Sequence, residues 1–159
     1  MIHGNSKIEM NRLFAPQETH PAETRAALTP QIAQKLIELG LDVLVQKGIG
    51  LRADFPDSEY ENVGASVVDD PVAASAEADF ILRVRKPESA QMEPIRPGAL
   101  HISFLDPFNE KELIDDLARR QIAAISLEMI PRSTLAQKMD ALSSQANLAG
   151  YAVVTMAAA

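Results

Sequence analysis

Residues 29–45 read TPQIAQKLIELGLDVLV, and the pattern changes period within them. Thr29 offers a capping hydroxyl and Pro30 a preset first turn, while Ile32, Leu36 and Ile37 recur at helical spacing and make a buried stripe. Gly40 stops this helix. Leu41, Val43 and Val45 then alternate with Asp42 and Leu44, which is the period of a strand. With a short strand candidate at Ile8 to Phe14, ended by Pro16, a β-α-β unit closes within about 40 residues, as a parallel sheet requires.

Outward from that unit the same alternation of strand and helix signals continues. Residues 1–6 read as a disordered lead. QETHPAETRAAL is polar and turn-rich, with Pro21 as a breaker and Arg25 among small residues. KGIGLRADFPDSEY carries Gly48 and Gly50 but has Ala at position 53, so it reads as a plain turn and not as a dinucleotide fingerprint. Asp57 is placed to cap a short helix ending at Gly64, and Ser66 to Val68 is a brief strand. Asp70 and Pro71 start an Ala-rich helix. Phe80 to Val84 is apolar on both faces and reads as a central strand. Arg83, Arg85 and Lys86 form a basic cluster at its carboxyl end, where open α/β sheets gather ligands; an anion contact and a solvated loop are both open there. After a Pro-rich linker around Pro94 and Pro97, Leu100 to Leu105 is a buried strand. Leu113, Ile114 and Leu117 are the inner face of a helix, and Ile122 to Leu127 is the last strand. The fold class is therefore α/β: a three-layer, open, mostly parallel sheet flanked by helices, flavodoxin-like or Rossmann-like.

The totals narrow the function. A length of 159 residues with 47% hydrophobic content gives one domain with a sizeable core. A net charge of -7 argues against a nucleic-acid or anionic-membrane surface. The absence of cysteine removes disulfides and thiolate chemistry, and three scattered histidines make no metal site expected. MIHGNSKIEMNR lacks the apolar core of a signal peptide, and no run approaches the roughly 20 apolar residues of a membrane span. The expected location is cytosolic or membrane-peripheral.

The chemistry is concentrated in Ile130 to Tyr151, IPRSTLAQKMDALSSQANLAGY. Met139, Leu142, Ala146, Ala149 and Val153 form one helical stripe, expected to be a packing face. Gln137, Asp140, Ser144, Asn147 and Tyr151 form a second, polar but nearly uncharged, of the kind that hydrogen-bonds a ligand or a neighbouring domain. A buried helix with internally satisfied polar groups is the competing reading. The last residues, GYAVVTMAAA, are helix-prone and carry no stop signal, so the helix is expected to be cut short.

PRSTLAQKMDALSSQANLAGY is similar to the signature PRISRAQ.MD.LSS.AN.AGYRA of the alanine dehydrogenase and pyridine nucleotide transhydrogenase family, with the closer likeness to the transhydrogenase branch. ETHPAETRAALTPQIAQKLIELGLDVLVQKGIG, ADFILRVRKP, PGALHISFLDPF and AAISLEMIPR resemble other segments of the family. The resemblance implies one half of a two-domain protein: an N-terminal α/β domain over residues 7–135 and a connecting helix over 136–159. That helix would lead toward a missing Rossmann domain that holds NAD(H). It further implies hydride transfer to NADP(H) bound by a partner component, coupled to proton translocation through a membrane component. A homodimer in the complete protein, peripheral to the inner membrane through its partner subunit, is implied as well.

Carried over residue by residue, the resemblance assigns cofactor binding to Arg132, Gln137, Asp140 and Ser143, with Gln137 and Asp140 also catalytic. Arg132 would hydrogen-bond a carboxamide while pairing with Asp140, and Gln137 would bridge toward the second nucleotide. Leu135 and Ser133 depart from the signature's second Arg and its Ile. The alanine dehydrogenase branch resembles this chain at Arg25, but has Lys where Arg85 stands and His where Asp106 stands. His101, earlier in that strand, reads as a packing or edge residue. An amino-acid oxidoreductase fragment and a non-catalytic protein-binding module are the alternatives.

Overall fold

A computed structural model gives the structure of residues 12–158. In chain order the elements are β1 (Arg12–Ala15), α1 (Pro30–Glu38), β2 (Asp42–Gln46), α2 (Asp57–Asn62), β3 (Ser66–Val68), α3 (Pro71–Glu77) and β4 (Phe80–Arg85). These are followed by α4 (Ser89–Met92), β5 (Leu100–Phe104), α5 (Lys111–Arg119), β6 (Ala123–Ser126) and α6 (Ala141–Ala157). The expected lead at 1–6 and the start of the Ile8 to Phe14 strand lie outside the described residues.

Among the described residues six strands pair in parallel in the order β3-β2-β1-β4-β5-β6. This is the Rossmann order, not the 2-1-3-4-5 of flavodoxin. Strand alternation sorts the core into two layers. Leu13, Ala15, Val43, Val45, Phe80 and Leu82 pack with Ala33, Leu36 and Ile37 of α1 and Tyr60 of α2. Phe14, Leu44 and Ile81 point the other way, against Ala74 of α3, Met92 of α4 and Leu113, Ile114 and Leu117 of α5. β1, β2 and β4 are covered on both faces, whereas Leu100, Ile102 and Phe104 leave one face of β5 only half-buried.

Several local expectations are corrected. Thr29 holds the N-cap position with extended ψ of 158°, but its hydroxyl makes no capping bond; Pro30 occupies the first turn. Within α1, Ala33 is the buried contact and Ile32 is 45% exposed, because the close approach of helix to sheet favours the small side chain. Asp57 is the first residue of α2 and its carboxylate accepts from the Gly48 N–H at 2.7 Å, bracing the turn. Gly50 is required there: a Cβ would stand 2.5 Å from the Phe55 carbonyl oxygen. Asp70 caps α3 as expected, accepting from the N–H groups of Val72 and Ala73. Just before the Pro-rich linker lies α4, whose capping box joins Glu88 and Gln91.

His101 is fully buried, with Nε2 3.0 Å from the Ser103 hydroxyl. Burial, and then the nearby positive Arg83, push its pKa down to about 4. On acidification the unfolded chain takes the proton first. Stability therefore falls as pH drops below 6.5 and goes on falling to about pH 4, by about 3 kcal/mol in all. His101→Gln is expected to remove that part of the pH dependence in denaturant unfolding. Tyr60 is also fully buried, its hydroxyl donating to the Leu28 carbonyl at 2.7 Å. Tyr60→Phe leaves that carbonyl without its donor and is expected to cost about 1–2 kcal/mol, read as a lower urea midpoint at unchanged slope.

Candidate functional site

After β6 the chain makes a 3-10 turn at Leu127–Met129, runs through Pro131, and makes a second at Gln137–Met139 before entering α6. Hydrogen bonds close in sequence set this loop. Ser133 Oγ accepts from the Ala136 N–H at 3.3 Å, and Ala136 is the buried anchor of the segment. Asp140 caps α6, accepting from the Ser143 N–H at 3.0 Å and the Ser143 hydroxyl at 2.5 Å.

The outcome is that Arg132, Gln137, Asp140 and Ser143 line one cavity of about 300 Å³, with Ser133 and Thr134 completing its wall. Arg132, Gln137 and Ser143 are exposed and Asp140 is half-buried. The Ser143 hydroxyl and then its N–H hold the Asp140 carboxyl below its ordinary value of 3.8, with Arg132 adding attraction through space. Among the described residues Arg132 makes no ion pair with Asp140. The Asp140 carboxylate binds the Ser143 N–H and hydroxyl at the first turn of α6 and keeps acceptor capacity on both oxygens. Arg132 is left to present its planar donors to the cavity.

The stripe of Met139, Leu142 and Val153 is not packed: these side chains are 60%, 37% and 65% exposed, and no residue of α6 is buried. One tie to the domain is Gln145, whose amide oxygen accepts from Arg25 Nη1 at 3.1 Å.

Arg25 belongs to a second cleft, of about 260 Å³, with Arg85, Lys86 and Asp106 around Val84 and Phe104. Three positions far apart in sequence are thus brought together at the carboxyl ends of β4 and β5. The basic cluster divides: Lys86 pairs with Glu110, Arg85 faces the cleft, and Arg83 turns inward to 8% exposure. Asp106 adopts φ 53°, accepts from Asn109 Nδ2 at 2.9 Å, and gives its own N–H to Glu128. Burial pushes the Glu128 carboxyl up, but hydrogen bonds that include the N–H groups of Leu105 and Asp106 outweigh it and leave it below the usual range.

Sequence reading did not find Glu18, Glu23 or Glu128. Glu18 and Glu23 sit in what reads as a polar loop yet are 8% and 5% exposed. Glu23 pairs with Arg25 at 2.7 Å, and this guanidinium holds the carboxyl below its usual range against the cost of burial. Their signal is positional: a carboxylate beside the end of a parallel strand can take the N–H groups the ladder leaves over.

Fold and clefts together define an open, parallel α/β domain in Rossmann order, with polar clefts at the carboxyl end of its sheet and beside an uncovered helix. Residues 14–149 match the family described as alanine dehydrogenase/PNT, N-terminal domain. An NAD(P) transhydrogenase subunit alpha polypeptide of Rickettsia prowazekii is 40% identical over 90% of this chain and 38% of its own length. NAD(P) transhydrogenase subunit alpha of Cereibacter sphaeroides is 38% identical over 90% of the chain and 27% of its own. The solved transhydrogenase from Sinorhizobium meliloti superposes with a TM-score of 0.88 at 42% identity, over 93% of this chain and 44% of that one. The chain belongs to the alanine dehydrogenase/PNT N-terminal domain family, and it spans about a third of the length of the curated relatives it matches.

The Asp140 cap makes a direct prediction. Asp140→Ala is expected to speed hydrogen exchange at the Ser143 amide severalfold, whereas Asp140→Asn, also a good cap, should leave it nearly unchanged. The Asp140 carboxyl is expected to titrate below 3.8, so its capping contribution is present above that value and is lost as pH falls through the depressed pKa.

Proposed function

We propose that this chain is the N-terminal part of a proton-translocating NAD(P) transhydrogenase alpha subunit and helps to position the nicotinamide of NAD(H) for hydride transfer to NADP(H). The observation that carries the reading is the convergence of Arg132, Gln137, Asp140 and Ser143 on one cavity. The donor set fits a carboxamide: Arg132 and the Gln137 amide donate to its oxygen, while the Gln137 oxygen and Asp140 accept from its nitrogen. NAD(H), when bound, supplies the hydride. Since the acceptor is a second nicotinamide, the hydride carries both electrons and no proton has to be moved by a side chain. What the chain must do is orient one ring and keep water away.

The cavity is open, and Arg132, Gln137 and Ser143 are exposed, which supports a site completed by another body. In this reading that body is a Rossmann domain following α6, the residues 136–159 are the connection, and NADP(H) is held by a partner component. The assembly is a homodimer, cytoplasmic and peripheral to the inner membrane through its partner subunit. Among the described residues no helix is long and apolar enough to cross a membrane. The alanine dehydrogenase alternative is disfavoured by the second cleft, where Asp106 accepts from Asn109 and binds Glu128 through its N–H in place of a proton-shuttling imidazole.

In the protein completed with its nucleotide domain and partner component, Gln137→Ala is expected to lower the rate of NADH to NADP-analogue hydride transfer about 10- to 100-fold. NADH affinity should fall by less than the rate, because Gln137 orients the ring as well as contacting it. An unchanged rate in a folded variant would overturn this role. Pyruvate-dependent NADH oxidation by the completed protein would favour the amino-acid oxidoreductase instead.

A further inference from the structure

A third pocket lies where the chain reverses its direction of travel across the sheet, between β1 and β4, the position at which open α/β sheets form a crevice. Its walls come from the end of β1, the end of β2, the first turns of α3 and the short α4. We propose that this pocket, about 200 Å³ and lined by the largely buried Arg83, binds a small aliphatic monocarboxylate.

Gln17 Nε2 donates to the Gly48 carbonyl at 3.3 Å, and Gln91 Nε2 donates to the Thr19 hydroxyl at 3.2 Å. Arg83 is only 8% exposed, yet among the described residues its guanidinium donors have no hydrogen bond or ion pair. With no partner in the protein, its nitrogens keep contact with water where Arg83 lines the pocket, and a planar carboxylate is the group its fork matches in two parallel bonds. Glu18 and Glu88 attract Arg83 through space without touching it. Their repulsion of a phosphate dianion is about twice that of a monocarboxylate. His101, kept neutral by burial, adds no positive charge that would offset them. Pro16, Pro71, Pro94, Val72 and Ala90 give an apolar surface for a short alkyl chain, beside the polar Gln46 and Ser75. The volume is below the about 300 Å³ at which pockets for drug-sized ligands begin, so the ligand is a few carbons long. The proposal is independent of the reading of the Arg132 cavity.

The test is titration of the ¹⁵N-labelled chain with propionate, with sodium phosphate and sodium chloride as parallel arms at matched ionic strength. Propionate is expected to shift the Arg83 Nε resonance saturably. Arg83→Gln should weaken binding about tenfold or more, since it removes a charge-assisted pair. Should that variant fail to fold, Val72→Trp, at a rim residue that is 62% exposed, carries the test by narrowing the mouth and is likewise expected to weaken binding. An equal response to chloride, tighter binding of phosphate than of propionate, an unshifted Arg83 Nε, or undiminished binding in folded variants would each overturn it.

Discussion

The carboxylate of Glu18 accepts the N–H of Val84 at 2.7 Å and that of Arg85 at 3.4 Å, and much of the functional end of the sheet depends on it. Those amides sit where β4 loses register with β5, between Leu82 and Arg85, so the ladder does not use them in the regular way. A buried carboxylate is tolerated because it meets donors. By reaching across from the segment after β1, it lays residues 16–29 over the end of β4. Arg52 then fastens that segment by donating to the carbonyls of His20, Pro21 and Glu23. Glu23 in turn orients Arg25 toward the cleft that holds Arg85 and Asp106.

This arrangement explains how a Rossmann strand order comes without a Rossmann phosphate loop. In the usual unit β1 turns tightly through glycines into a helix whose N-terminus holds the pyrophosphate. Here β1 ends in Ala15 and Pro16, and α1 begins only at Pro30. The intervening chain is spent on carboxylates that bind backbone and guanidinium groups, so the first helix terminus faces no glycine cradle. The same sheet end has instead been built as polar clefts made by side chains.

Elements whose identity rests on local spacing are legible in the sequence: the helix and strand within 29–45, the Asp70 cap, and the inner face of α5 at Leu117. What is not legible depends on depth or on partners distant in the chain. Ile32 and Ala33 have equal claims from periodicity, and only the separation of helix and sheet decides for Ala33. Arg83 and Arg85 are near neighbours on a basic run, yet the bulge in β4 lets one turn into the core and the other face a cleft. The Arg132 loop is a case of the first kind at the level of the site. Residues 132, 137, 140 and 143 lie close together in the chain, so local geometry suffices to gather them. Arg25, Arg85 and Asp106 are gathered by sheet topology, and their numbers in sequence say nothing of their separation in space.

α6 marks the boundary between what this chain does alone and what it needs. Its first turns are fixed from within, by the Asp140 cap and by Gln145 against Arg25. Beyond them its apolar residues, Leu148, Val153, Val154 and Met156 among them, stand more than half exposed. A helix of this composition is not held in place by propensity alone, since helical stability in proteins comes mostly from burying one face. The donors of the Arg132 cavity share that condition: their hydrogen bonds would be competed for by water for as long as the cavity is open. Covering the apolar face of α6 and drying the cavity beside its N-terminus are therefore one requirement. On the function proposed, a single domain docked along α6 would meet both at once, because the loop of Arg132 leads directly into this unpacked helix.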